Sequence, residues 1–174
     1  MKPAAAILPV LVAGTIATGC APELPGAVAE SSIDMASWES ASLADGRTLR
    51  MAPGEGAVVI NVWATWCEPC RREMASLEAA HRLLASRGIR VVGVSVDRDV
   101  LLAREFARRQ GLTFANFSDP EQALVRDRLG VRRLPTTLGV AADGRVRWRD
   151  ESPRDWSDPE RLAWVERTLA GGAR

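Results

Sequence analysis

An α/β domain is predicted, three layers deep (α/β/α), with a central mixed sheet and an N-terminal β-hairpin extension. Two near-continuous apolar runs, Ala57–Trp63 (AVVINVW) and Ile89–Val96, have the β-branched content of strands buried on both faces. Segments with apolar residues at helical spacing alternate with such runs, the pattern that produces right-handed crossovers in a sheet covered by helices. With 174 residues, 47% hydrophobic and 26% charged, the chain suffices for one ordinary core.

The N-terminus reads as an address. Met1-Lys2 is a short positive start, and the small and apolar stretch Ala4–Thr18, broken by Pro9 and Gly14, ends at Gly19-Cys20. That is a signal peptide over 1–19, too short and too interrupted for a spanning helix. Ala17-Thr18-Gly19-Cys20 resembles a bacterial lipobox, which predicts lipid attachment at Cys20; an ordinary secretory signal or an uncleaved anchor is the alternative. Each reading places the domain outside the cytosol, in the periplasm or cell envelope. Residues 20–36, with Pro22, Pro25 and Gly26 and no apolar period, read as a tether, leaving 37–174 as the folded domain.

Along the domain, Asp45-Gly46 between short alternating segments predicts the hairpin. The first buried strand runs straight into Trp66-Cys67. From Glu68 to Ser86, Met74, Leu77, Ala80 and Leu84 recur at helical spacing, and Arg87-Gly88 ends the helix. After the second strand, Asp99–Gln110 is a helix stopped by Gly111, and Phe114–Phe117 a short strand or loop. Pro120–Leu129 is a further helix, Leu134–Val140 a third strand and Arg145–Arg149 a fourth, with Asp143-Gly144 as the turn between them. Asp158–Leu169 is an amphipathic terminal helix carrying Leu162, Trp164, Val165 and Leu169.

Composition also excludes. Lys+Arg 23 against Asp+Glu 22 leaves a formal charge of +1, without the basic stripe that a nucleic-acid partner requires. Three cysteines, at 20, 67 and 70, cannot build a multi-disulfide scaffold.

Cys67-Glu68-Pro69-Cys70 lies where a buried strand ends and a helix begins. At the first helical turn, unpaired backbone N–H groups and the positive dipole end stabilise a thiolate, so Cys67 becomes a nucleophile at neutral pH. Two intervening residues bring Cys70 within bonding range, one turn further in, where it can resolve a mixed disulfide. Pro69 suits the first turn because its missing N–H is not needed there. Two other uses of a C-x-x-C stand beside this one. Half a zinc site lacks partners, since His81 is the only histidine and no second cysteine pair exists. A purely structural bridge would close a very small loop and so constrain the unfolded chain little.

The runs VVINVWATWCEPCRREM, VVGVSVD, and GVRRLPTT followed by ADGRV resemble the thioredoxin-like family, and within it the extracytoplasmic TlpA/ResA/CcmG branch. The resemblance covers roughly residues 38–170 and implies the thioredoxin fold. It implies that Cys67 attacks and Cys70 resolves, and that no cofactor is required beyond this redox-active pair. Pro135 falls at the family's cis-proline, where a plain strand-starting trans proline is the alternative, and the backbone of Leu134 is expected to pair with an extended substrate segment. Trp66, Glu68, Pro69 and Thr136 complete the implied substrate surface. The aspartate that cytosolic relatives carry six residues before the first cysteine is Asn61 here, which cannot take a proton. Glu73, where the ResA-like branch has its acid, is then the candidate proton donor and acceptor for Cys70; a solvent-facing first-turn glutamate is the other reading. Trp63 is read as core. Arg71-Arg72 and Arg132-Arg133 are solvated faces or a cationic rim for an acidic partner or membrane surface.

The implied activity is thiol–disulfide exchange with cysteine pairs in other proteins, by analogy apocytochrome c or copper-site proteins, recharged by a membrane donor of the DsbD/CcdA type. The same residues run backwards make an oxidant. A Cu(I)-carrying or chaperone module on the same scaffold is a rival, opposed by the lack of Met-rich or His-rich segments. A peroxidase is weaker still, because peroxiredoxins present their reactive cysteine in a different local sequence.

Overall fold

The computed structural model describes residues 38–51 and 56–170. The leader over 1–19, the tether over 20–36 and Cys20 lie outside the described residues. Among the described residues, seven strands form one mixed sheet: β1 (Trp38–Ser42), β2 (Thr48–Met51), β3 (Ala57–Trp63), β4 (Ile89–Ser95), β5 (Ala115–Ser118), β6 (Thr136–Val140) and β7 (Val146–Asp150). Their order is β2-β1-β5-β4-β3-β6-β7. Helices α1 (Glu68–Ala85), α2 (Val100–Arg109) and α3 (Pro159–Leu169) pack on it, giving the α/β thioredoxin fold.

The AVVINVW run becomes the central strand because every residue in it has a place to be buried. β3 runs parallel to β4, from Ala57↔Ile89 to Trp63↔Ser95, and antiparallel to β6, from Val58↔Val140 to Val62↔Thr136. The expected helices are capped as their sequences suggest: the Asp99 carboxylate accepts the Leu101 N–H at 2.9 Å, and Asp158 accepts that of Arg161 at 2.9 Å ahead of Pro159.

The expected N-terminal hairpin forms, and β1 pairs antiparallel with β5 (Ala41↔Ser118), so the hairpin extends the sheet at its edge. Two segments differ from their expectations. Pro120–Leu129 is not an α-helix. Gln122 adopts a left-handed conformation (φ 59°, ψ 22°), and Ala123–Arg128 form a π-helical turn closed by Leu129 N–H to Leu124 O at 2.9 Å. A side chain just ahead of the segment holds it: the buried Asp119 carboxylate accepts the Val125 N–H, six residues along the chain, at 2.8 Å, and that fixes the start of the turn. The third strand begins at Thr136 rather than Leu134, after the cis Leu134–Pro135 peptide.

One row of residues across the sheet positions the site. Registry aligns Asn116, Gly93, Asn61, Thr137 and Asp150 on neighbouring strands, which places them on one face. Asn61 Nδ2 donates to Thr137 Oγ1 at 3.0 Å, and Trp63 Nε1, two residues along the same face, donates to Asn116 Oδ1 at 3.1 Å. On β6, Gly139 faces Trp148 of β7, and a Cβ there would lie 2.1 Å from the indole. Gly139→Ala is therefore expected to destabilise the fold by about 1–3 kcal/mol through overpacking, read as a lower urea midpoint; an unchanged midpoint would show that Trp148 has room to shift.

Candidate active site

The turn between β3 and α1 is built to hold Cys67 still. Cys67 is the N-cap residue of α1, its N–H donates to Ala64 O at 3.1 Å, and its sulfur accepts the Cys70 N–H at 3.3 Å. Thr65 is fastened from the neighbouring strand's end, with its N–H 2.9 Å and its hydroxyl 2.7 Å from the buried Asp97 carboxylate, which Ser95 Oγ also donates to at 2.8 Å. Cys67 and Cys70 are joined by a disulfide (S–S 2.05 Å, Cα–Cα 5.3 Å). Cys67 is 6% exposed and Cys70 fully buried, while the adjacent Trp66 projects into solvent at 68% exposure. Access is thus asymmetric: a partner reaches the pair from the Cys67 side. Pro69 is half-buried in the first turn, and Glu68 faces solvent in an ion pair with Arg72.

Opposite this turn, the pairing Val62↔Thr136 brings the start of β6 to the end of β3, so the loop over 131–135 leaves the sheet at the edge where Cys67 sits. Pro135 is buried and Leu134 half-buried. Thr136 is not on the surface: it is fully buried, and its hydroxyl donates to Arg133 O at 2.7 Å, which holds the loop rather than offering a contact to a ligand.

Glu73 lies one turn past Cys70 on the same face of α1 and is 2% exposed. Its Oε1 accepts from Asn61 Nδ2 at 2.8 Å; its Oε2 accepts from the Arg154 backbone N–H at 3.2 Å and Trp156 Nε1 at 3.3 Å. Burial penalises the charged carboxylate more than these three donors favour it, and Asp150 adds repulsion, so its pKa is pushed up to about 7. The solvent-facing reading of Glu73 is excluded by its burial. A carboxyl poised near neutrality one helical turn from a buried cysteine can give or take a proton in the physiological range.

The reading of the sequence missed Trp156, Arg154, Asp150 and Asp97. The first three reach Glu73 from a segment about 80 residues later, with no local pattern to announce them. Asp97, two residues after a buried serine at a strand end, had only its position as a signal. His81 is half-buried, edge-on to Phe114 with ring centroids 6.0 Å apart, and belongs to the core's margin. Arg71, Arg72, Arg132 and Arg133 are all exposed. No helix among the described residues is long and apolar enough to cross a membrane.

Comparison with known proteins agrees with this geometry. A thiol-disulfide oxidoreductase ResA from Geobacillus thermodenitrificans is 36% identical over 104 residues, 59% of this chain and 59% of the relative. The thiol:disulfide interchange protein DsbE of Escherichia coli is 35% identical over 111 residues, 62% of this chain and 57% of that protein. These matches span a little over half the length of the relatives. Among solved structures, a secreted thiol-disulfide isomerase from Corynebacterium glutamicum superposes with a TM-score of 0.68 at 22% identity, over 78% of this chain and 84% of the other, which shows the shared fold. The AhpC/TSA family model matches residues 34–149, well over half of the sequence, and the chain therefore belongs to the AhpC/TSA family of thioredoxin-fold proteins.

Proposed function

We propose that this chain is an extracytoplasmic thiol–disulfide oxidoreductase, tethered through a lipidated Cys20 after removal of residues 1–19, that reduces disulfides in partner proteins. The observation that carries it is the Cys67–Cys70 disulfide at the start of α1, with the second sulfur buried and a buried carboxyl of raised pKa one helical turn further along the same face. In the reduced state the Cys67 thiolate attacks one sulfur of the partner's disulfide; that bond breaks, a Cys67–partner disulfide forms, and the leaving thiolate takes up a proton. Cys70 then loses its proton to the Glu73 carboxylate and attacks Cys67, which releases the partner as a dithiol. Two electrons pass to the partner, and the enzyme is left as the Cys67–Cys70 disulfide. Leu134 lies outside the β6 ladder, which supports its pairing with an extended segment of the partner, past Trp66, Glu68 and Pro69.

No cofactor enters this cycle. Fresh electrons would come from a membrane dithiol donor of the DsbD/CcdA type, and the partners would be proteins with cysteine pairs such as apocytochrome c or copper-site proteins. Within the AhpC/TSA family, a second cysteine three residues from the first, in the same helical turn, favours dithiol exchange over peroxide reduction.

The reduction potential of the pair tests the direction, followed by tryptophan fluorescence in a dithiothreitol series. A reductant is expected at about −230 mV or below, whereas a value near about −120 mV would make the chain an oxidant and overturn the proposed direction.

A further inference from the structure

We propose that the cleft beside Trp66 takes an acidic segment of the partner polypeptide, next to that partner's reactive cysteine, and that Arg98, Arg126, Arg132 and Arg133 hold it. This rests on Cys67 and Cys70 being an exchanging pair and concerns which polypeptide they meet.

The cleft has a volume of about 580 Å³. Its floor is apolar, made by the buried Val96, Val125 and Val131, and its walls carry Trp66 and Leu102, 68% and 58% exposed. Large apolar side chains left this open beside a reactive pair suit a segment that arrives and leaves. Four arginines border this floor: Arg98 before α2, Arg126 on the π-helical turn, and Arg132 and Arg133 in the loop before Pro135. All four are exposed, and Arg98, Arg132 and Arg133 make no ion pair among the described residues. Among the described residues, the Arg126 guanidinium donates only to the neutral Gln122 Oε1, at 2.7 Å.

The acids in the same cleft are occupied. Asp97 is spent on Thr65 and Ser95, and Asp99 caps α2. Glu121 borders Arg98 and Arg126 in an adjoining hollow without an ion pair to either. The guanidinium forks are therefore unmatched, in a lining where four arginines face two committed aspartates, and carboxylates are the groups they bind in pairs.

The backbone is arranged to keep this so. Gln122, at a positive φ that side chains rarely adopt, opens the π-helical turn, and Asp119 fixes it by accepting the Val125 N–H. The turn presents Val125 to the floor and its neighbour Arg126 to the rim. Strained residues and π-turns persist where the surrounding structure holds them, and they gather at functional sites. The chain as a whole carries a formal charge of only +1, so this is local concentration rather than general basicity.

The test compares reduction of two disulfide peptides, identical except for Asp/Glu or Lys residues flanking the cystine, and of neutral bis(2-hydroxyethyl) disulfide. The reduced wild-type protein is expected to reduce the acidic peptide about tenfold faster than the basic one at low salt. That ratio should approach one in about 0.5 M salt, and should invert in Arg132→Glu/Arg133→Glu. Equal peptide rates, with the neutral disulfide still reduced, would overturn the acidic-segment proposal and leave exchange at Cys67 standing. No reduction of the neutral disulfide would overturn exchange itself. A preference that survives loss of all four arginines would place its cause elsewhere and sink the proposal. Binding of wild type to phosphatidylglycerol vesicles that is lost in the double variant, with no peptide preference, would assign the rim to a membrane surface instead.

Discussion

Reduced Cys70→Ala protein, offered a disulfide peptide, is expected to accumulate a stable Cys67–peptide adduct, while Cys67→Ala is expected to form almost none. The asymmetry follows from access. Cys67 caps α1 next to an exposed Trp66, and Cys70 is buried beneath it, so only the first sulfur meets an incoming disulfide and only the second can expel the product. Turnover should fall on the order of 10³-fold or more in either variant, because the two sulfurs act as one unit. Intact-protein mass spectrometry distinguishes the cases. Comparable adduct on Cys70 in the Cys67→Ala protein would contradict the burial argument and reverse the assigned roles.

Glu73→Gln is expected to remove a pH dependence from both stability and rate. In the folded oxidised protein the carboxyl titrates at about 7, against a reference value of 4.5. The folded state therefore holds this proton more tightly than the unfolded chain does. Stability from this group is fully present below pH 4.5, is lost as pH rises from 4.5 to 7, and stays lost above. The loss amounts to about 3 kcal/mol. The stability difference between wild type and Glu73→Gln should thus change by about that amount between pH 4 and pH 8, with the variant gaining at high pH. The glutamine is tolerable in this site. Its carbonyl can accept from Arg154 and Trp156, and its amide can donate to Asn61, whose Oδ1 is buried without a partner among the described residues and can be turned toward it. In exchange assays the wild-type rate should show an inflection near pH 7 that the variant lacks. Parallel pH profiles for the two proteins would show that Glu73 does not handle the proton.

Much of this was legible in the chain. The order of the strands and the three α-helices and the strand leading into Cys67 follow from local rules: β-branched runs and apolar spacing of three and four. The C-x-x-C spacing likewise places two sulfurs in one helical turn. The differences sit where a nearby side chain bonds the backbone in a way that apolar spacing does not register. Pro120–Leu129 has a helical pattern, but the Asp119 carboxylate and the left-handed Gln122 make it a π-helical turn. Thr136 follows a proline at the site's edge, yet its hydroxyl is turned inward to Arg133 O.

The sequence by itself determined that one α/β domain would present a reactive cysteine pair at a helix start, because those features depend on residues within a few positions of one another. Only the tertiary structure decided what surrounds that pair. Glu73 becomes a near-neutral acid because Asn61, Arg154, Trp156 and Asp150 converge on it from two other parts of the chain. Its pKa is set by the balance of lost hydration against those donors, and that balance exists only once the sheet and the segment after it have closed over the carboxyl.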